Sequence, residues 1–133
     1  VTEELYGVQL ASHSLSCTAV KTHFPHLKVG CSVHSLTESK EKEEAGADYL
    51  IYGHIFKTKS KIGKSPKGLN KLKEVINQTE LPIIAIGGIK PNNVKEVFDV
   101  GADGIAVLSG ILLAKNVKNQ SYEYYKQVNN EVK

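Results

Sequence analysis

Five short, continuously apolar runs constrain this chain more than any other feature: Leu5 to Leu10, Leu27 to Val33, Tyr49 to Tyr52, Ile83 to Ile86 and Ile105 to Leu108, with helical patterns between them. Continuous runs rich in Val, Ile and Tyr and bounded by turn residues suit strands buried on both faces, as in a parallel sheet. Strand–helix alternation with short connections implies βαβ units with right-handed crossovers.

The punctuation agrees. After the second run, Ser35-Leu36-Thr37-Glu38 has the form of a capping box, and Gly46 stands where the following helix should stop. After the fourth, Pro91 sits where a first helical turn would begin, and Val94, Val97 and Phe98 keep helical spacing until Gly101. The tripeptide Gly-Ala-Asp occurs at 46–48 and again at 101–103, each time leaving a helix and entering a strand. From Gln120 onward the pattern predicts a C-terminal helix with Tyr122, Tyr125 and Val128 on one face. One connection breaks the rhythm: residues 54–68 separate Gly53 from the next helical pattern near Leu69. Long loops in compact α/β domains are usually functional.

Composition narrows the function class. With 41% hydrophobic and 23% charged residues the chain reads as one ordered globular domain over 1–133. A net charge of +3, spread along the chain, is no nucleic-acid footprint. No apolar run approaches the ~20 residues needed to cross a bilayer, and Val1-Thr2-Glu3-Glu4 lacks the basic region of a signal peptide. A cytoplasmic protein that binds neither nucleic acid nor membrane is expected. Cys17 and Cys31 follow no metal or redox spacing and read as packed thiols, and the spacings of His13, His23 and His26 do not resemble a zinc site.

In parallel α/β architectures ligands sit at the C-terminal ends of the strands. That rule selects Ala11 to Ser14, His34-Ser35, Gly53 to Lys61, Gly87-Gly88 and Ser109-Gly110. Gly87 and Gly88, between a strand and a helix start, offer free N–H groups and let an anion approach closely. Ser109 and Gly110 add a hydroxyl and a second glycine turn on the next strand, although Ser109 could equally cap the short helix that follows. Paired turns of this kind form the phosphate site of many (β/α)8 barrels. Lys57, Lys59, Lys61, Lys64 and Lys67 make either a solvated loop or a lid over an anionic small molecule. His54 directly follows a strand, where an imidazole can take and return a proton near neutrality; the plainer alternative is a hydrogen-bonded structural histidine. His34 could orient a ligand or tie down its loop, and the second role is favoured.

Several motifs together resemble the thiamine phosphate synthase/TenI family: Gly7-Val8-Gln9-Leu10, Gly30-Cys31-Ser32-Val33-His34-Ser35, Gly46-Ala47-Asp48-Tyr49, Gly53-His54-Ile55-Phe56, Ile86-Gly87-Gly88-Ile89 and Gly104-Ile105-Ala106-Val107-Leu108-Ser109-Gly110. The resemblance implies a thiamine-biosynthesis enzyme on a TIM barrel. Synthases of this family usually carry Gly-Pro where Gly53-His54 stands, whereas TenI-like thiazole tautomerases carry Gly-His, so the closest match is a tautomerase, an isomerase with His54 as catalytic acid/base. The implied substrate is a small phosphorylated thiazole, held by Gly87, Gly88, Ser109 and Gly110, with no cofactor and no metal. The alternative is thiamine phosphate synthase, a transferase using Mg2+. Ser32, Thr58, Ser60 and Lys61 fall where the synthase pattern binds pyrophosphate and its neighbours, but Ser14 stands where it has an acidic metal ligand. A second alternative is a non-catalytic phosphate-binding or regulatory relative.

A complete barrel has eight strands and usually at least about 200 residues. The expected architecture is therefore α/β, the C-terminal five βα units of a TIM (β/α)8 barrel truncated at its N-terminus. Five strands cannot close, so edge strands and the inner layer should be exposed unless another copy, as in a homo-oligomer, covers them.

Overall fold

A computed structural model describes residues 5–131. The signal-peptide reading of Val1 to Glu4 falls outside these residues. The elements alternate as expected: β1 (Gly7–Leu10), α1 (Cys17–His23), β2 (Lys28–Val33), α2 (Leu36–Glu44), β3 (Tyr49–Gly53), α3 (Gly68–Gln78), β4 (Ile83–Ile86), α4 (Val94–Asp99), β5 (Gly104–Ala106), α5 (Ser109–Leu112) and α6 (Val117–Glu131). The five strands form one sheet in the order β1-β2-β3-β4-β5, and every neighbouring pair is parallel. Sequential parallel pairing is the arrangement of a (β/α) barrel wall, here an open arc of five strands.

The two faces of that arc differ. Register places Val29, Cys31 and Val33 of β2, Leu50 and Tyr52 of β3, and Ile83 and Ala85 of β4 on one face. All are at most 1% exposed, and they share a core with Val20 of α1, Leu72 and Val75 of α3, and Val94 and Val97 of α4. Burying each large apolar side chain contributes about 1.5–3 kcal/mol. Alternate residues point the other way, and Ser32, Ile51, Ile84, Ile86 and Ala106 are only half-buried. The expectation of strands buried on both faces is thus met on the helix side alone, because the opposite face would become a barrel interior only on closure. The surface totals 8874 Å2, about 2,000 Å2 more than the roughly 6,900 Å2 of a compact monomer of this mass. Exposed Leu5, Tyr6 and Leu15 flank edge strand β1, and exposed Leu108, Leu112 and Leu113 follow edge strand β5.

The repeated Gly-Ala-Asp is a bolt between strands. Asp48 N–H donates to Val29 O at 2.7 Å while its carboxylate accepts from Val29 N–H at 2.8 Å. Asp103 repeats this on Ile83, at 2.9 Å both ways. Each preceding glycine takes a positive φ, +93° at Gly46 and +104° at Gly101, which a side chain would resist. Asp48 also takes the Lys21 ammonium at 2.9 Å. Partial burial pushes the Asp48 carboxyl up, but the Val29 N–H and Lys21 outweigh it and leave it below its ordinary value.

Three local expectations need correction. The α2 cap forms, Ser35 Oγ accepting from Glu38 N–H at 3.1 Å, but Glu38 reaches back to His34 N–H, one residue before the cap. α4 starts at Val94 rather than at Pro91, because Asn93 Oδ1 accepts from Lys90 N–H and holds residues 90–93 as a turn. α6 docks through Tyr124, 4% exposed, while Tyr122 and Tyr125 stack on each other in solvent at 57% and 61% exposure. A buried tyrosine needs a partner for its hydroxyl, and Tyr124 finds one, donating to Ile89 O at 2.7 Å. Cys17 and Cys31 are free and buried on the helix side of the sheet. Burial, with Cys17 alongside, pushes the Cys31 thiol up to about 12, as befits an inert packed thiol.

Candidate active site

A cavity of about 700 Å3 opens at the C-terminal ends of the strands, and the nine residues expected to be catalytic, phosphate-binding or substrate-binding all line it: Ser32, His54, Thr58, Ser60, Lys61, Gly87, Gly88, Ser109 and Gly110. Ala11 to Ser14 do not. Ser14 Oγ instead accepts from Ala11 N–H at 2.9 Å and closes its own turn.

The turn after β4 is wired so that its carbonyls are committed and its amides are spare. Gly87 O accepts from Phe56 N–H at 2.9 Å, Gly88 O from Asn93 Nδ2 at 3.2 Å and Ile89 O from the Tyr124 hydroxyl at 2.7 Å. Because a trans peptide is a rigid plane with N–H opposite C=O, fixing the Gly87 and Gly88 carbonyls also fixes the N–H groups of Gly88 and Ile89. Those two amides have no protein acceptor among the described residues. Gly88 has φ +66°, and a Cβ there would stand 2.6 Å from Lys57 O and 2.7 Å from Phe56 O; a side chain would displace the loop crossing it. On the next strand, Leu108 occupies the cap position of α5 with no side-chain bond. Ser109 is therefore the first helical residue and not the cap. Its hydroxyl and the amides of Ser109 and Gly110 have no acceptor among the described residues, whereas Ile111 N–H donates to Leu108 O at 3.2 Å.

Lys57, Lys59, Lys61 and Lys90 line the cavity, and no Asp or Glu does. The wall attracts anions and, without carboxylates, does not by itself suit a divalent cation; no group of three potential metal ligands exists among the described residues. Lys90 and Gln9 were not singled out from sequence. Gln9 Nε2 donates to Ser32 Oγ at 3.1 Å. The signal for Gln9 lies in its place as the one polar residue of the first apolar run. Thr58 Oγ1 accepts from Ser60 N–H at 3.4 Å and so shapes the single 3-10 turn of Lys59–Lys61.

His54 borders the cavity but is held by its loop. The residue is 8% exposed. Its Nε2 lies 3.3 Å from Lys64 O, a carbonyl that can only accept, so this nitrogen carries a proton. The chain on either side is stitched across the loop base, Lys67 N–H to His54 O at 2.8 Å and Gly68 N–H to Ile55 O at 2.9 Å. The Gly53–His54 peptide bond is cis. His34 takes the role favoured for it, its Nδ1 and N–H both meeting Glu38 Oε2, at 3.3 and 3.0 Å.

Known proteins bear on the choice that the motifs left open. The family model described as thiamine monophosphate synthase matches residues 2–111. Thiamine-phosphate synthase of Pyrococcus furiosus is 40% identical over 122 residues, which are 92% of this chain and 59% of that protein. The enzyme of the same name from Methanococcus vannielii is 40% identical over 111 residues, 84% and 54% of the two chains. The solved structure of thiamine phosphate pyrophosphorylase from Pyrococcus furiosus superposes with a TM-score of 0.86 at 37% identity, covering 96% of this chain and 61% of that one. The chain thus spans somewhat over half the length of these relatives. They overturn the expectation of a thiazole tautomerase, and with it that of an isomerase: relatives at about 40% identity are named synthases. The histidine that suggested proton transfer is engaged by the loop carbonyl of Lys64. By family model, sequence and superposition alike, the chain belongs to the thiamine monophosphate synthase/TenI family.

Proposed function

We propose that this chain forms the anion-binding wall of a thiamine-phosphate synthase, a transferase that couples a thiazole phosphate to a pyrimidine pyrophosphate. The observation that carries the reading is the cavity at the strand ends, where lysines and unpartnered amides meet and carboxylates are missing. Gly87, Gly88, Ser109 and Gly110 hold the thiazole phosphate. Ser32, Thr58, Ser60 and Lys61 receive the pyrophosphate. In the coupling, the thiazole nitrogen bonds to the pyrimidine methylene as the carbon–oxygen bond to pyrophosphate breaks, and the leaving group takes the electron pair. Donors fixed where that charge develops lower the barrier. Mg2+ would share this charge, but these residues, without a carboxylate among them, do not fit the ion unaided. His54 orders the lysine loop through Lys64.

The domain proposed is a partial barrel over 1–133, completed by further parallel strands beside β1 and β5. No helix among the described residues is long and apolar enough to cross a membrane, and two free buried thiols suit a reducing cytoplasm.

The test is calorimetric titration with pyrophosphate, followed by a pyrophosphate-release assay with both substrates and Mg2+. Binding that weakens about tenfold in Lys61→Ala, the loss of about 1.4 kcal/mol expected for a charge-assisted contact, supports the reading. No pyrophosphate binding by the wild-type chain overturns it. Binding without turnover assigns a phosphate-ligand-binding role instead.

A further inference from the structure

We propose that Tyr124 is a positioning residue that sets the spacing of the two glycine turns, Gly87–Ile89 after β4 and Ser109–Gly110 after β5, so that both can grip one phosphoryl group. This role rests on reading those turns as the phosphate site. It adds to that site a residue of α6, which none of the sequence motifs includes.

A single hydroxyl touches both turns. Tyr124 Oη donates to Ile89 O at 2.7 Å, and a Cβ placed on Gly110 would collide with the same oxygen. The sheet itself does not couple the turns. The β4–β5 ladder consists of three pairs, Ile84 with Gly104, Ala85 with Ile105 and Ile86 with Ala106. Both turns lie beyond the last pair, where no strand hydrogen bond sets their separation. α6 packs against α4 and α5, the helices that follow the two turns, and Tyr124 is its buried residue. Burial raises the Tyr124 phenol above its ordinary value, so the hydroxyl keeps its proton and stays a donor at neutral pH. With Ile89 O held by this hydroxyl, the Ile89–Lys90 peptide is tied to α6, next to the Gly88 and Ile89 amides that the Gly87 and Gly88 carbonyls orient, so the preorganised donors of the first turn keep their place relative to the second.

Tyr124→Phe removes the hydroxyl and keeps the ring. Two readouts on the 133-residue chain test the proposal: amide hydrogen exchange residue by residue, and titration with inorganic phosphate followed by amide chemical shifts. One neutral hydrogen bond is worth about 1 kcal/mol, close to a factor of ten. The expected result is therefore exchange faster by about tenfold at Lys90 and Ile111, the amides of the two turns that have acceptors, unchanged exchange in β2 and β3, and phosphate affinity weaker by about tenfold. Pyrophosphate affinity at the lysine loop should fall by less than the phosphate affinity, because the loop meets the first turn at Gly87 and Gly88 and not at the Ile89 carbonyl that Tyr124 holds. Unchanged exchange in the two turns overturns the proposal, and so does faster exchange with unchanged phosphate affinity. If phosphate fails to shift the Gly88, Ile89, Ser109 and Gly110 amides of the wild type, the phosphate-site reading itself falls, a failure visible without the variant.

Discussion

The two ends of the sheet handle their polar groups in opposite ways. At the N-terminal end Asp48 and Asp103 exchange two hydrogen bonds each with the strand beside them, and Lys21 neutralises Asp48. At the C-terminal end the carbonyls of Gly87, Gly88 and Ile89 are taken while the amides of Gly88 and Ile89 have no acceptor among the described residues. A buried donor without a partner is costly, so donors left over at one end are stabilised by water or ligand. Saturation makes the first end a source of stability; spare donors make the second a binding site.

Substitutions at the two ends should separate these roles. The largest effect is expected from Asp48→Ala, which strands Val29 N–H and Lys21 and should cost about 2–3 kcal/mol in urea unfolding, with pyrophosphate binding unchanged. The same carboxylate should give the fold an acid limit. Its folded pKa lies below the ordinary 3.8, so its contribution is complete above that value and is lost as pH falls through the folded pKa. Unfolding followed below about pH 4 should show this loss in the wild type and not in Asp48→Ala. Asp103→Ala, at a more exposed bolt without a lysine partner among the described residues, should cost about 1–2 kcal/mol. At the other end, Lys61→Ala should weaken pyrophosphate about tenfold yet leave stability within about 0.5 kcal/mol. Smallest is His54→Leu, which removes one hydrogen bond, about 1 kcal/mol. Its readout is faster tryptic cleavage after Lys57, Lys59, Lys61 and Lys64. A stability loss in Lys61→Ala equal to that in Asp48→Ala would erase the contrast between the ends.

Much of the fold is legible in the residues. Strand positions follow from the apolar runs because helices cover one face of each strand, and the two Gly-Ala-Asp turns announce themselves through glycines that need positive φ. His54, the loop residues up to Lys61 and the two glycine turns follow from a rule about strand ends that topology enforces, whereas Ser32 enters only through the family resemblance. The hidden parts depend on contacts distant in sequence. Tyr122, Tyr124 and Tyr125 are equivalent by composition, and only the position of Ile89 O selects Tyr124. The contact between His54 Nε2 and Lys64 O is hidden as well, because that carbonyl is placed by how the loop folds back. The tautomerase reading leans on a Gly-His pair too short to outweigh similarity along the whole chain.

The uncovered side of the sheet has a thermodynamic consequence. Two strand edges unpaired among the described residues, with about 2,000 Å2 of excess surface, couple folding to whatever occupies them. A partner that binds only the folded form adds stability in proportion to the logarithm of its concentration. The melting temperature of this polypeptide should therefore vary with protein concentration or with added complementary strands, and a single value measured in dilute solution would describe the exposed arc alone.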